Sequence, residues 1–385
     1  MKKVLLLAVC LALSAAGLAS AETIIKVGYL AALTGDWAAY GQTEVKAAQL
    51  AVEEINASGI LPKGLKIELV PYDFRSRQED AVNAVRRMIE QDKVVAIVGA
   101  NSSGVNIAVA PLVNRAGIPQ IGTVSTNPRV TVDEKGRVRP YSFRICFTDP
   151  YQGKVLAYYA AKKLKLKKAA ILYDVSSDYS QGLREFFIEN YKKFGGEIVA
   201  DLAFRGGVDV DFRAQLTEIA KAKPDVIILP NMGKEMALTI KQARELGMKD
   251  VIFMGGDGYA DFMWDIAGDT LEGSYWVNHV SPDDPALRPF FEAYRKKYND
   301  ECKEFVNGIL AYDAMYLLAD AIRRAGSADP KAIRDALENT KNLKLLHATI
   351  TIDPNTHDPL NKDAVILYCK ERKAVFHDKV RPEEP

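Results

Sequence analysis

Six short stretches, 34–40, 101–103, 125–126, 177–179, 231–232 and 257–259, place hydroxyls, amides, aromatic rings and an acid directly after runs that read as β-strands. In an open parallel sheet, ligands sit beyond the carboxyl ends of the strands, so these residues are expected to meet around a solute. Clustered hydroxyls and free backbone N–H groups at helix starts, as at Ser102, Ser103, Ser125 and Thr126, receive a carboxylate. Asp257 is an acid able to pair with an ammonium, while Trp37, Tyr40, Tyr179 and Tyr259 can enclose an aliphatic or aromatic body. Singly, each has an ordinary explanation: Ser103 or Thr126 as a helix cap, Asp257 as a turn former in Gly255-Gly256-Asp257-Gly258, Trp37 as loop packing. Their shared position at strand ends favours a ligand.

Catalysis finds less support. The sequence has no Gly-x-Ser-x-Gly elbow, no HExxH and no paired-cysteine metal motif. The glycines at 255–258 lack both dinucleotide-binding spacing and a following Lys-Ser/Thr. Ser103 or Ser177 needs a nearby base to act as a nucleophile, and no histidine falls at a strand tip of the first two segments. His279, His347, His357 and His377 are scattered and read as ordinary loop or edge histidines. Cys146 and Cys369 lie in strand-like stretches and read as buried small hydrophobes; with Cys302 they make an odd set after the leader, leaving at least one thiol unpaired in a monomer. No enzyme activity, cofactor or metal is expected.

The elements that must position these residues form a repeating series. Residues 1–21 read as a secretory signal peptide: Met1, Lys2 and Lys3, then an apolar run, then Ala19-Ser20-Ala21 as a small-residue site cleaved after about Ala21. Cleavage leaves 364 residues, enough for two domains, and no later segment reads as a membrane span. The 51 basic and 50 acidic residues nearly cancel, so no nucleic-acid partner is expected. Apolar runs at 24–30, 65–72, 94–98 and 120–122 predict strands, with helical periodicity at 44–56, 78–91 and 105–114 between them. The series restarts after Pro150, with strands expected at 169–173, 197–204, 225–230 and 251–254 and helices at 152–163, 181–194, 212–222 and 234–246. Such alternation gives an α/β class with parallel sheets covered on both faces, and its repetition gives two domains. Helices at 285–298, 304–325 and 330–339 follow. Short strands at 348–352, 365–368 and 374–380 read as an antiparallel addition to an existing sheet.

Several separated stretches together resemble the type I periplasmic binding proteins that serve branched-chain amino-acid ABC importers. They include Ile25-Lys26-Val27-Gly28-Tyr29-Leu30 leading to Leu33-Thr34-Gly35 and Tyr40-Gly41, Ile97-Val98-Gly99 before Ser102-Ser103, and Ser125-Thr126-Asn127-Pro128. Tyr173-Asp174 with Tyr179-Ser180-Gln181-Gly182, Phe253-Met254-Gly255 before Asp257-Gly258, and His357-Asp358-Pro359 complete the set.

The resemblance implies two Rossmann-like α/β lobes joined by a three-crossing hinge, with solute held in the cleft. The lobes it implies are 22–146 with 278–342, and 147–277 with 343–385. By the same resemblance Ser103 and Thr126 hold the ligand carboxylate, Ser125 contributes backbone, and Asp257 receives the α-ammonium. Tyr179 packs on the ligand, Tyr40 borders the side-chain pocket, and Ser102 with Asn101 replaces a more apolar segment. Met232 stands where branched-chain receptors often carry a tyrosine, which leaves the side-chain preference open. The expected protein is a monomeric periplasmic receptor delivering an aliphatic or aromatic amino acid to permease subunits. The alternatives are the same fold holding a non-amino-acid carboxylate such as an aromatic acid, or a secreted sensor.

Overall fold

The structure is a computed structural model describing residues 22–360 and 363–382; the expected signal peptide at 1–21 lies outside the described residues. The first sheet is built from β1 (Thr23–Ala31), β2 (Leu65–Asp73), β3 (Ala96–Gly99), β4 (Gln120–Gly122) and β5 (Ser142–Arg144), in the order β2-β1-β3-β4-β5 and parallel throughout. Its central strand β1 is apolar on both faces, with Val27, Tyr29, Leu30 and Ala31 fully buried, as expected of a strand covered by helices on both sides. Those helices include α1 (Ala38–Ser58), α2 (Gln78–Arg87) and α3 (Ser103–Ala116).

After α4 (Asp149–Tyr158) the second sheet begins with β6 (Lys168–Asp174), α5 (Asp178–Lys193) and β7 (Glu197–Phe204). It continues through α6 (Arg213–Lys221), β8 (Val226–Leu229), α7 (Gly233–Glu245), β9 (Ile252–Gly255), α8 (Met263–Ala267) and β10 (Tyr275–Asn278). Three helices follow, α9 (Arg288–Tyr298), α10 (Phe305–Ala325) and α11 (Pro330–Glu338). A two-stranded ribbon then pairs β11 (Leu343–Lys344) with β12 (Thr349–Ile350), before β13 (Ala364–Lys370) and β14 (Lys373–Val380) return to the second sheet. Its order is β14-β13-β10-β9-β8-β6-β7, with β13 antiparallel to both neighbours. The expected antiparallel addition is real for 365–368 and 374–380, whereas 348–352 falls in the separate β11–β12 ribbon. β10, to which it is added, was missing from the sequence-based series.

The chain passes between the sheets after Arg144, after Asn278, and between Ile350 and Ala364. Two crossings are tied together: Arg144, with no exposed side-chain surface, lies 2.6 Å from Asp358 and donates to the Ser125 carbonyl at 2.6 Å. The ribbon is held to α10, where the Leu346 and His347 amides donate to Asp313 at 3.0 and 2.8 Å.

Three expectations need correction. α1 starts at Ala38, six residues before the expected helix, so Tyr40 lies in a helical first turn and not in a loop. α10 is long and apolar enough by composition to cross a membrane, but 89% of that stretch is buried inside the fold. It is a core helix whose apolar character reflects packing on all sides. The histidines are not all ordinary loop residues: His357 is fully buried and stacks on Phe143 with ring centroids 4.1 Å apart, and His279 is also buried. Cys146, Cys302 and Cys369 are all buried.

Candidate functional site

The carboxyl ends of β1, β3, β6, β8 and β9 converge on a cavity of about 260 Å³ between the two sheets. On the first side, Gly99 ends β3 with φ +96°, and a Cβ there would stand 2.2 Å from the Leu30 carbonyl oxygen. Only glycine permits this approach, which turns the chain so that 101–103 face the cleft. Ser102 is the N-cap of α3 and Ser103 its first residue, bringing the unsatisfied N–H groups of a helix start to the wall. The Ser103 hydroxyl accepts from the Asn127 amide at 3.2 Å. Asn101, only 5% exposed, lines the cavity with neither side-chain amide atom hydrogen-bonded.

On the second side, Asp257 is buried after β9, and its Oδ2 lies 2.9 Å from His279 Nε2. The His279 ring stacks on Phe147 at 3.6 Å, which fixes the imidazole that orients the acid. Tyr179 lies in the first turn of α5. Desolvation, followed by the nearby Asp257 and Asp149 charges, holds its phenol well above the ordinary range, so it stays a proton donor beside those carboxyls. Asn231, Met232 and Glu235 reach the cavity from β8 and the start of α7. Glu235 is 8% exposed, and burial raises its carboxyl pKa. From α10, Asn307 completes the wall and donates to buried Glu44 at 3.1 Å.

The lobes are closed on each other. The Tyr40 hydroxyl donates to the Gly258 carbonyl at 2.9 Å and accepts the Gly233 N–H at 2.9 Å. Gly233 is needed for this approach, since a Cβ there would stand 2.8 Å from the Tyr40 oxygen. Asn127 Nδ2 donates to the Asp178 carbonyl at 2.8 Å, and Glu304 accepts the Asp261 amide at 3.0 Å. Ion pairs Lys234–Asp36 at 2.9 Å and Arg129–Asp178 at 3.1 Å lie at the rim.

Two α/β lobes closed over a small polar cavity are the architecture of a solute receptor, and residues 24–373 match the family model described as periplasmic binding protein. The chain belongs to the periplasmic binding protein family. A Leu/Ile/Val-binding protein homolog from Brucella melitensis is 30% identical over 85% of this chain and 86% of its own length. An amino acid binding protein from Pseudomonas aeruginosa is 32% identical over 88% of each chain. Among solved structures, a leucine-binding protein from Thermotoga maritima superposes with a TM-score of 0.85 at 34% identity, covering 93% of this chain and 99% of that one. The family is one of solute binding and not of catalysis, so this binding protein is not an enzyme.

Of the eight residues singled out from sequence, Tyr40, Ser102, Ser103, Tyr179, Met232 and Asp257 line the cavity of this binding protein. Ser125 and Thr126 are fully buried and do not line it. Ser125 Oγ donates to the Ala100 carbonyl at 2.8 Å, bracing the loop that carries Asn101. Thr126 accepts the Asp149 amide at its carbonyl, with its hydroxyl beside the Asp149 carboxyl. Sequence reasoning named Asn101 at a strand end without selecting it, and missed Glu235 and Asn307. Those two lie in helices, where only the position one turn inside α7, after the strand-end Met232, hinted at Glu235.

Proposed function

We propose that this binding protein captures an α-amino acid in the periplasm, after removal of residues 1–21, and delivers it to the permease of an ABC importer. The proposed lobes are 22–146 with 278–342 and 147–277 with 343–385, closing as a monomer around the solute.

The observation that carries the amino-acid reading is the charge distribution of the cavity wall. Among the described residues it holds five carboxylates, Asp36, Asp174, Asp178, Glu235 and Asp257, and no lysine, arginine or histidine. A solute that is only an anion meets no cation on that wall to offset its charge. A zwitterion is suited to both walls: its carboxylate to the N–H and hydroxyl donors at Asn101, Ser102 and Ser103, its ammonium to Asp257. The similarity to relatives named for leucine, isoleucine and valine binding supports the same reading.

The test is titration calorimetry of ligand-stripped protein with an amino acid and its deaminated acid. Asp257→Asn is expected to weaken amino-acid binding by about 10- to 100-fold, the worth of a hydrogen bond to a charged group. The deaminated acid should lose far less. Equal losses for the two compounds sink the ammonium role.

A further inference from the structure

Four of the five carboxylates on the cavity wall already have partners. Asp36 is paired with Lys234 at 2.9 Å and Asp178 with Arg129 at 3.1 Å. Asp257 is held by His279 at 2.9 Å. Asp174 Oδ1 accepts from the Ser176 amide at 2.8 Å, the Ser176 hydroxyl at 2.6 Å and the Gly206 amide at 2.9 Å. Glu235 alone is different. Among the described residues, its charged form is favoured chiefly by its own backbone N–H and then by the adjacent Lys234, whose ammonium is already engaged with Asp36.

An acid 8% exposed and so poorly compensated is costly unless something entering the cavity supplies donors. Asn101, with its amide unpartnered and 5% exposed, is a second, independent sign that a polar occupant belongs in this space. Met232, three residues before Glu235, cannot supply a donor, since a thioether is only a weak acceptor.

We infer that Glu235 reads the far end of the solute, and that the preferred ligand is an α-amino acid whose side chain ends in a nitrogen donor, an amine, guanidinium or amide. This rests on the amino-acid reading above and narrows it away from purely aliphatic side chains. A donor-bearing side chain supplies the missing hydrogen bonds to the Glu235 carboxyl. An aliphatic one instead buries that carboxyl against carbon, and a site built for a donor discriminates against the ligand that lacks it.

Calorimetry of ligand-stripped protein against lysine, arginine, glutamine, norleucine, leucine and 4-hydroxybenzoate tests this directly. At least one donor-bearing amino acid is expected to bind about tenfold or more tighter than norleucine and leucine. Glu235→Gln should bring the ratio between a cationic ligand and norleucine towards one. Leucine or norleucine binding more tightly than every donor-bearing amino acid overturns the Glu235 assignment and leaves the amino-acid reading standing. Binding of 4-hydroxybenzoate with no amino acid bound overturns both. The wild-type panel decides the matter even if the variant fails to fold.

Discussion

At the scale of single residues, the Tyr40 hydroxyl does more than border a pocket. It links both lobes through two neutral hydrogen bonds to backbone, at Gly233 and Gly258. Tyr40→Phe removes neither ring nor shape, but leaves a buried N–H and a buried carbonyl unsatisfied whenever the lobes close. Each such group costs about 1–3 kcal/mol. Ligand affinity is expected to fall by at least about 5-fold, the loss from the weaker estimate for one group alone, and further where both groups count in full. The urea midpoint of the ligand-free protein should stay near wild type, because both groups regain water once the lobes open. Calorimetry paired with urea denaturation checks this, and a lowered midpoint with unchanged affinity contradicts it. Tyr40 was legible as a site residue because an aromatic followed a strand end. Its bridging role was not, because Gly233 and Gly258 are nearly two hundred residues or more away and only the folded lobes bring them together.

At the scale of elements, α1 carries a buried acid on its core face. Glu44 accepts from Thr123 Oγ1 at 2.9 Å and from Asn307 at 3.1 Å, yet burial outweighs both and pushes its carboxyl up to about 8. A carboxyl raised above its unfolded value of 4.5 favours the folded state most below that value, and the advantage is lost as pH rises through about 8. The maximum slope is about 1.4 kcal/mol per pH unit for one proton. Glu304, up to about 7, and Asp149, raised by desolvation, act in the same direction. Glu44→Gln should therefore flatten the fall in urea-unfolding free energy between pH 5 and 9 by up to one proton. Parallel curves for variant and wild type rule this out.

The same helix shows how far sequence reaches. Its apolar period was readable over 44–56, but its start was not, because Trp37 offers no side-chain cap bond to mark the boundary. β5 was missing from the strand series, with only the stretch at Cys146 read as strand-like, for a related reason: Ser142 and Arg144 are buried polar residues that break any apolar run. Glu235 and Asn307 resemble ordinary polar helix residues, and the cavity they line exists only in the folded chain. The strand-helix series and the strand-end residues were legible because their cause is local. The interlobe contacts were not, since theirs is tertiary.

At the scale of the whole molecule, closure depends on contacts of unequal weight. The rim pairs Lys234–Asp36 and Arg129–Asp178 are partly exposed and worth about 0–1 kcal/mol each. The contact from buried Glu304 to the Asp261 amide is part-buried, and here closure meets pH. Desolvation dominates the rise of the Glu304 carboxyl to about 7, with Asp261 adding to it and the Asp261 and Phe262 amides and Lys303 opposing. Opening is expected to part Glu304 from the Asp261 loop and readmit water, which lowers its carboxyl pKa towards the ordinary 4.5. The closed state then binds the proton more tightly, and closure is favoured at low pH and weakened as pH rises to about 7. One proton per closure sets a limit of about tenfold in affinity per pH unit. Ligand affinity is expected to decline between pH 5 and 7 and then level off, with Glu304→Gln reducing the decline. Small-angle scattering at pH 6 and 8 should show the same ligand-induced compaction once the solute is saturating, because pH alters the population of the closed form and not its shape. An affinity profile that keeps its slope in Glu304→Gln would place the coupling elsewhere, with buried Asp149 behind Asp257 the next group to replace.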